Sequence, residues 1–112
     1  MHEMAIIQSV VSMVEEAAAG RRVRVVTLEV GALSGVSPDA LAFSFDLVIE
    51  GTALDGARLD IRNIPGRARC LACGAEFETR GLAAACPCGS PRLVRLCGEE
   101  LNVKSLELEE AA

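Results

Sequence analysis

The chain has 112 residues, is 51% hydrophobic, carries a net charge of −5 and has only three aromatic residues, all Phe. That length suits one domain, or one domain plus a small module, around an aliphatic core. The acidic balance and the lack of Trp and Tyr argue against a nucleic-acid surface, and no apolar run reaches the roughly 18 residues that cross a bilayer.

Residues 4–19 are predicted to form a helix. Ile6, Val10, Met13 and Ala17 follow helical spacing, and Ile7, Val11 and Val14 widen the stripe. Glu3 is expected at the helix N-terminus, where its charge meets the positive end of the dipole. The first three residues then project from an ordered helix start. Residues 22–30, rich in Val and Thr, are predicted as a strand, followed by a loop through Gly31 and Gly35. Ser37 reads as an N-cap with Pro38 at the first helical position and Asp39 next. The second helix is expected to run to about Glu50, with Leu41, Phe45, Val48 and Ile49 facing inward. Ala57, Leu59 and Ile61 alternate with Arg58, Asp60 and Arg62, which predicts a half-buried strand.

Pro65-Gly66 marks a boundary, and a cysteine-bearing segment follows. Residues 66–98 hold five Arg and two Glu, so this segment is basic while the remainder is strongly acidic. Strand pattern returns at Leu101 and Val103, then changes phase at Leu106 and Leu108, which predicts a bulge near Lys104-Ser105. This last strand needs a sheet to join, and the other strands precede residue 65. The expected fold is therefore α+β: a small three-stranded sheet with two helices, formed by residues 1–65 and 99–112, with a zinc-ribbon-like module, 66–98, inserted between two strands.

The module's chemistry lies in Cys70-Leu-Ala-Cys73-Gly74 and, twelve residues on, Cys86-Pro87-Cys88-Gly89. Two close thiol pairs, each followed by glycine, look like two knuckles of one site. Four thiolates in a tetrahedron suit Zn(II) or Fe(II). The second knuckle is one residue short. A Cys86–Cys88 disulfide would be strained, and five cysteines cannot all pair within one chain. A segment of this size with few large apolar side chains needs a metal to hold it together. Four protein ligands leave no open position, so the metal is structural, not catalytic. A rubredoxin-like electron carrier is the iron alternative, and a zinc-ribbon interaction or nucleic-acid-binding module is another. Cys97 is either a small buried residue at a strand start or a replacement for a ligand that the short knuckle fails to present.

His2 is the only histidine. It is either a surface residue or a ligand. At position 2, the Met1 α-amine, the His2 amide nitrogen and the imidazole can close consecutive chelate rings. Deprotonated amides favour a square-planar ion, Ni(II) or Cu(II), and the Glu3 amide is available as a fourth nitrogen. Nothing in the chain supplies a nucleophile–base pair or a phosphate loop, so the expectation is a carrier, not an enzyme. Met1-His2-Glu3-Met4 lacks the basic start of a signal peptide, which places the chain in the cytoplasm, where thiols stay reduced.

These pieces share an order. Met1-His2-Glu3-Met4 opening an amphipathic helix, Glu29-Val-Gly31, the Ser37-Pro-Asp39 helix start, the paired cysteines with Pro87, Gly89 and Ser90, and the ending Gly98-Glu-Glu-Leu101-Asn-Val-Lys-Ser-Leu-Glu107 together resemble the HypA/HybF family of hydrogenase nickel-incorporation proteins. The resemblance covers nearly the whole chain. It implies a nickel metallochaperone for NiFe-hydrogenase maturation, and for urease in some members. It implies transient Ni(II) at Met1, His2 and Glu3, and structural Zn(II) at Cys70, Cys73, Cys86 and Cys88. It implies a HypB-type GTPase and the hydrogenase large subunit precursor as partners, with no nucleic acid and no membrane. The carrier itself is expected to be a monomer or a weak homodimer.

Overall fold

A computed structural model describes residues 2–80 and 85–110. Helix α1 (His2–Ala18) leads into strand β1 (Val23–Gly31) and helix α2 (Pro38–Val48). Strands β2 (Arg58–Ile64), β3 (Gly66–Cys70), β4 (Glu76–Thr79), β5 (Leu93–Cys97) and β6 (Leu101–Leu108) follow. They form two three-stranded sheets, ordered β2-β1-β6 and β4-β3-β5. The chain divides into two compact units. One comprises residues 2–28, 36–62 and 102–110; the other comprises 29–35 and 63–101.

In the first unit α1 packs on α2. The buried stripe of α1 is Glu3, Ile7, Val10, Val11, Val14 and Ala18. It is turned one position from the expected line: Met13 is 57% exposed, Ala17 is exposed and Ile6 is half-buried. The sequence carries apolar doublets at 6–7, 10–11, 13–14 and 17–18, so both phases look alike by spacing. Packing selects the second. Glu3 lies four residues before Ile7, so the same choice carries it onto the buried face.

Helix α2 starts as expected. Ser37 is extended, with φ −83° and ψ 117°, and its Oγ accepts from the Ala40 N–H, which the first turn would otherwise leave unpaired. Leu41, Phe45 and Ile49 face the core, joined by Leu54, Val26 and Leu28. Strands β1 and β2 run in the same direction. The Val23 N–H donates to Ala53 near their starts and the Ala32 N–H donates to Ile64 at their ends. That pairing needs a long crossover, which α2 supplies.

Strand β6 is antiparallel to β1. The Gly31 N–H donates to Glu100 at one end, and the Glu109 N–H donates to Arg22 at the other. The two bonded pairs lie nine residues apart on each strand, whereas an unbroken antiparallel ladder repeats its bonded pairs every second residue, so the ladder changes phase between them, as the apolar residues of β6 do between Val103 and Leu106.

The second unit holds a sheet of its own. In β3, Gly66, Ala68 and Cys70 are buried and Arg67 and Arg69 exposed, so its inward face is made of small residues. β4 pairs with β3 from Gly66↔Thr79 to Arg69↔Glu76, and β5 pairs from Cys70↔Leu93 to Arg67↔Cys97 with a shift between Arg67 and Ala68. Three glycines meet beside Leu33. A methyl group added to Gly31 would lie 1.9 Å from the Gly98 carbonyl oxygen, one on Gly66 2.4 Å from that of Thr79, and one on Gly98 2.5 Å from the Gly66 Cα. The Leu33 N–H donates to the Gly98 carbonyl at 2.7 Å, fixing the loop after β1 to the end of β5.

Candidate metal centres

The two cysteine pairs come together. The Cys70 and Cys88 sulfurs are 3.7 Å apart, those of Cys73 and Cys86 3.5 Å, and all four lie within 4.8 Å of one another. A disulfide would need about 2.05 Å. A tetrahedron of sulfurs about 2.3 Å from zinc has edges of about 3.8 Å. The separations therefore match four thiolates around one ion.

The short knuckle closes by a tighter turn. After Cys70 the chain makes a five-residue turn, in which the Gly74 N–H donates to the Cys70 carbonyl at 2.9 Å. After Cys86 it makes a four-residue turn, in which the Gly89 N–H donates to the Cys86 carbonyl at 2.7 Å. Both glycines sit at positive φ, +79° and +95°, where a side chain would be strained. Each turn also aims an N–H at sulfur: Cys73 N–H at Cys70 Sγ, 3.5 Å, and Cys88 N–H at Cys86 Sγ, 3.4 Å. One residue fewer is thus absorbed without losing a donor.

Cys70 and Cys86 are buried, whereas Cys73 and Cys88 are exposed. The Cys70 thiol is drawn down to about 6, first by the Cys73 N–H aimed at its sulfur. The Cys88 N–H likewise favours the Cys86 thiolate, yet burial and the neighbouring thiols push Cys86 up to about 12. Crowded thiols resist losing all their protons, and a dication at the centre reverses that balance. Cys97 stands apart from the cluster. It closes β5 instead of opening a strand, and its half-buried Sγ donates to the Pro65 carbonyl at 3.4 Å.

At the other candidate site, α1 begins at His2, so the imidazole is carried by an ordered turn. Its side chain is 61% exposed, and its Nε2 lies 3.8 Å from Glu3 Oε2. Met1, whose amine the nickel reading needs, lies outside the described residues. Glu3 does more than face the α1 dipole. It is only 8% exposed, and its carboxylate accepts from the Ser37 N–H at 3.1 Å. That bond, then one from its own N–H, holds the Glu3 carboxyl down at about 2. Ser37 is the partner that spacing alone did not reveal; the aligned positions 3, 7, 10–11, 14 and 18 were the available signal. Asp39 lies two residues beyond Ser37, in the exposed first turn of α2.

The anchoring of Glu3 is testable. Replacing Glu3 by Ala removes the acceptor of the Ser37 N–H, so the start of α2 should open several-fold more often. Amide exchange at Ser37 and Ala40 should accelerate by that factor. Glu3→Gln, which keeps an oxygen acceptor, should restore most of the protection.

A family model for HypA, described as hydrogenase/urease nickel incorporation, metallochaperone, matches residues 1–108. The chain belongs to the HypA family. Hydrogenase maturation factor HypA of Geobacter metallireducens is 54% identical over 110 residues, covering 97% of this chain and all of that protein. Its counterpart in Nostoc sp. is 47% identical over 110 residues, covering 98% and 97%. The solution structure of the Ni metallochaperone HypA from Helicobacter pylori shares the fold, with a TM-score of 0.65 at 23% identity over 96% of this chain and 97% of that one. Within the HypA family, four cysteine sulfurs at these separations fit a zinc site. No helix among the described residues is long and apolar enough to cross a membrane.

Proposed function

We propose that this HypA-family chain carries Ni(II) at its amino terminus and delivers it to a NiFe-hydrogenase large subunit precursor, with urease as a further client. Nickel is its cargo. Zinc, held by Cys70, Cys73, Cys86 and Cys88, is its permanent structural element. Residues 1–65 and 99–112 form the nickel-carrying part, and 66–98 the zinc-binding part. Delivery proceeds in the cytoplasm alongside a HypB-type GTPase, and the chain itself catalyses no reaction.

The observation that carries this reading is an exposed imidazole on the first residue of an ordered helix, next to an anchored glutamate. The N–H groups of a helix's first turn have no carbonyl of a preceding turn to bond. Deprotonating the His2 and Glu3 amides for a square-planar ion therefore breaks no bond of the helix ladder, only the one from the Glu3 N–H to its own carboxylate. Glu3 contributes its amide nitrogen, while its carboxylate, occupied by Ser37, fixes the turn that presents His2. A ligand set at a chain end releases its ion without moving much protein. Each nitrogen must shed its proton to ligate, so acid weakens the grip.

The test is titration of the untagged, zinc-loaded protein with nickel. Wild type should take up one ion, and His2→Ala none, with zinc content and far-UV spectrum unchanged because His2 is exposed. One extra residue before Met1 should also abolish uptake, by moving the amine out of register. A His2→Ala protein that binds one nickel with wild-type affinity would refute the assignment.

A further inference from the structure

Helix α2 turns two large apolar side chains toward solvent. Phe43 is 67% exposed and Leu47 51%. At about 100° per residue, Asp39, Phe43, Asp46, Leu47 and the following Glu50 fall within one stripe about 100° wide. All five are exposed, while Leu41, Ser44, Phe45 and Ile49 fill the opposite side. Single exposed apolar residues are ordinary. Here two stand one turn apart, and one is among only three aromatic residues in the chain. Phe is enriched at the core of protein contacts, and Leu47, one turn on, widens the apolar patch it makes.

Charge identifies the occupant. The apolar pair is bracketed by three carboxylates, and no Lys or Arg occurs between Arg24 and Arg58 or in the first twenty residues. Neither helix brings a cation to neutralise this rim. A second copy packing by this same face would set acid against acid. An anionic membrane or a nucleic acid would be repelled in the same way. We infer that this stripe docks a basic amphipathic segment of another protein, with aliphatic side chains on Phe43 and Leu47 and Lys or Arg over Asp39, Asp46 and Glu50. The apolar pair supplies the affinity, and the rim supplies steering and selection.

The stripe opens at Asp39, two residues from the Ser37 N–H that holds Glu3. A partner lying along it has one end beside the start of α1. Only the meaning of that placement rests on the nickel reading; the docking does not.

The experiment is therefore run without nickel, on the full zinc-loaded chain. The probe is a fluorescein-labelled synthetic helical peptide with Leu along one face and Lys and Arg elsewhere. The controls are the same peptide with Glu for its cations, and a scrambled peptide of equal charge with no apolar face. Anisotropy should show salt-sensitive binding of the first peptide alone. Phe43→Ala with Leu47→Ala should weaken it at least ~tenfold. Asp39→Asn, Asp46→Asn and Glu50→Gln together should weaken it and flatten its salt dependence. All five side chains are exposed, so zinc content and helicity should not move. The inference is overturned if the basic peptide fails to bind, if the scrambled one binds equally, or if the Phe43/Leu47 variant binds as wild type. It is also overturned if that variant abolishes a dimer, or abolishes binding to phosphatidylserine vesicles, since the occupant would then be another copy or a membrane.

Discussion

Replacing Cys86 by serine is expected to strip the chain of zinc and to melt the sheet β4-β3-β5 while α1 and α2 stay folded. The reason is how little else holds that part together. In residues 29–35 and 63–101, the buried apolar side chains among the described residues are Val30, Leu33, Ala68 and the thiols of Cys70 and Cys86. Burying a Val or Leu is worth about 1.5–3 kcal/mol each, and ordering each residue costs about 1–2 kcal/mol, so this core cannot order some forty-five residues. Structural zinc supplies on the order of 10–16 kcal/mol. Serine offers a harder, shorter-reaching donor, and the buried Cys86 sulfur also receives the Cys88 N–H. Bound zinc should fall from one per chain to near zero, and amide protection in β3 and β5 should vanish. Cys97→Ser should leave both unchanged, because Cys97 stands outside the cluster. A Cys86→Ser protein that keeps its zinc and its protected amides would show that three sulfurs suffice.

Gly31→Ala is expected to destabilise the zinc-loaded protein by more than about 3 kcal/mol. Its new methyl would sit 1.9 Å from the Gly98 oxygen and 2.7 Å from the Glu100 nitrogen, both backbone atoms. Those atoms are fixed in turn, because Gly98 has φ +113° and its carbonyl accepts from the Leu33 N–H. No flexible side chain is available to yield. Gly35→Ala is the control. Its φ is +76°, but nothing lies within 4 Å of an added methyl, so it should cost only about 1 kcal/mol. Denaturant unfolding of both variants, read as midpoint and slope, separates crowding from backbone strain. Equal midpoints would mean the glycine junction is looser than its distances imply.

The order of elements was legible because each carries a local mark. Ser37-Pro38 starts α2, alternation marks β2, and doublets of apolar residues mark α1. What local marks could not supply was phase. Ile6 and Ile7 are equivalent to any spacing rule, and only packing against α2 chose Ile7 and buried Glu3 with it. The sheet around Cys70 was hidden for a different reason: its inward residues are Gly66, Ala68 and Cys70, too small to register as an apolar alternation. The phase change in β6 was visible in its apolar residues, and the spacing of its bonds to β1 changes phase as well. The cysteine cluster was legible down to its four members, since thiols at that spacing have few other uses. The bond from the Ser37 N–H to Glu3 spans 34 positions, and no neighbour-based rule reaches so far.

The four sulfurs are roofed on one side only: Cys70 and Cys86 are covered, Cys73 and Cys88 face water. A chelator or oxidant approaching from solvent therefore meets the outer pair first. An ion held by these four sulfurs would be gripped by Cys70 and Cys86 from the covered side and by Cys73 and Cys88 from the side that faces solvent, so exchange would be expected to begin at the outer pair.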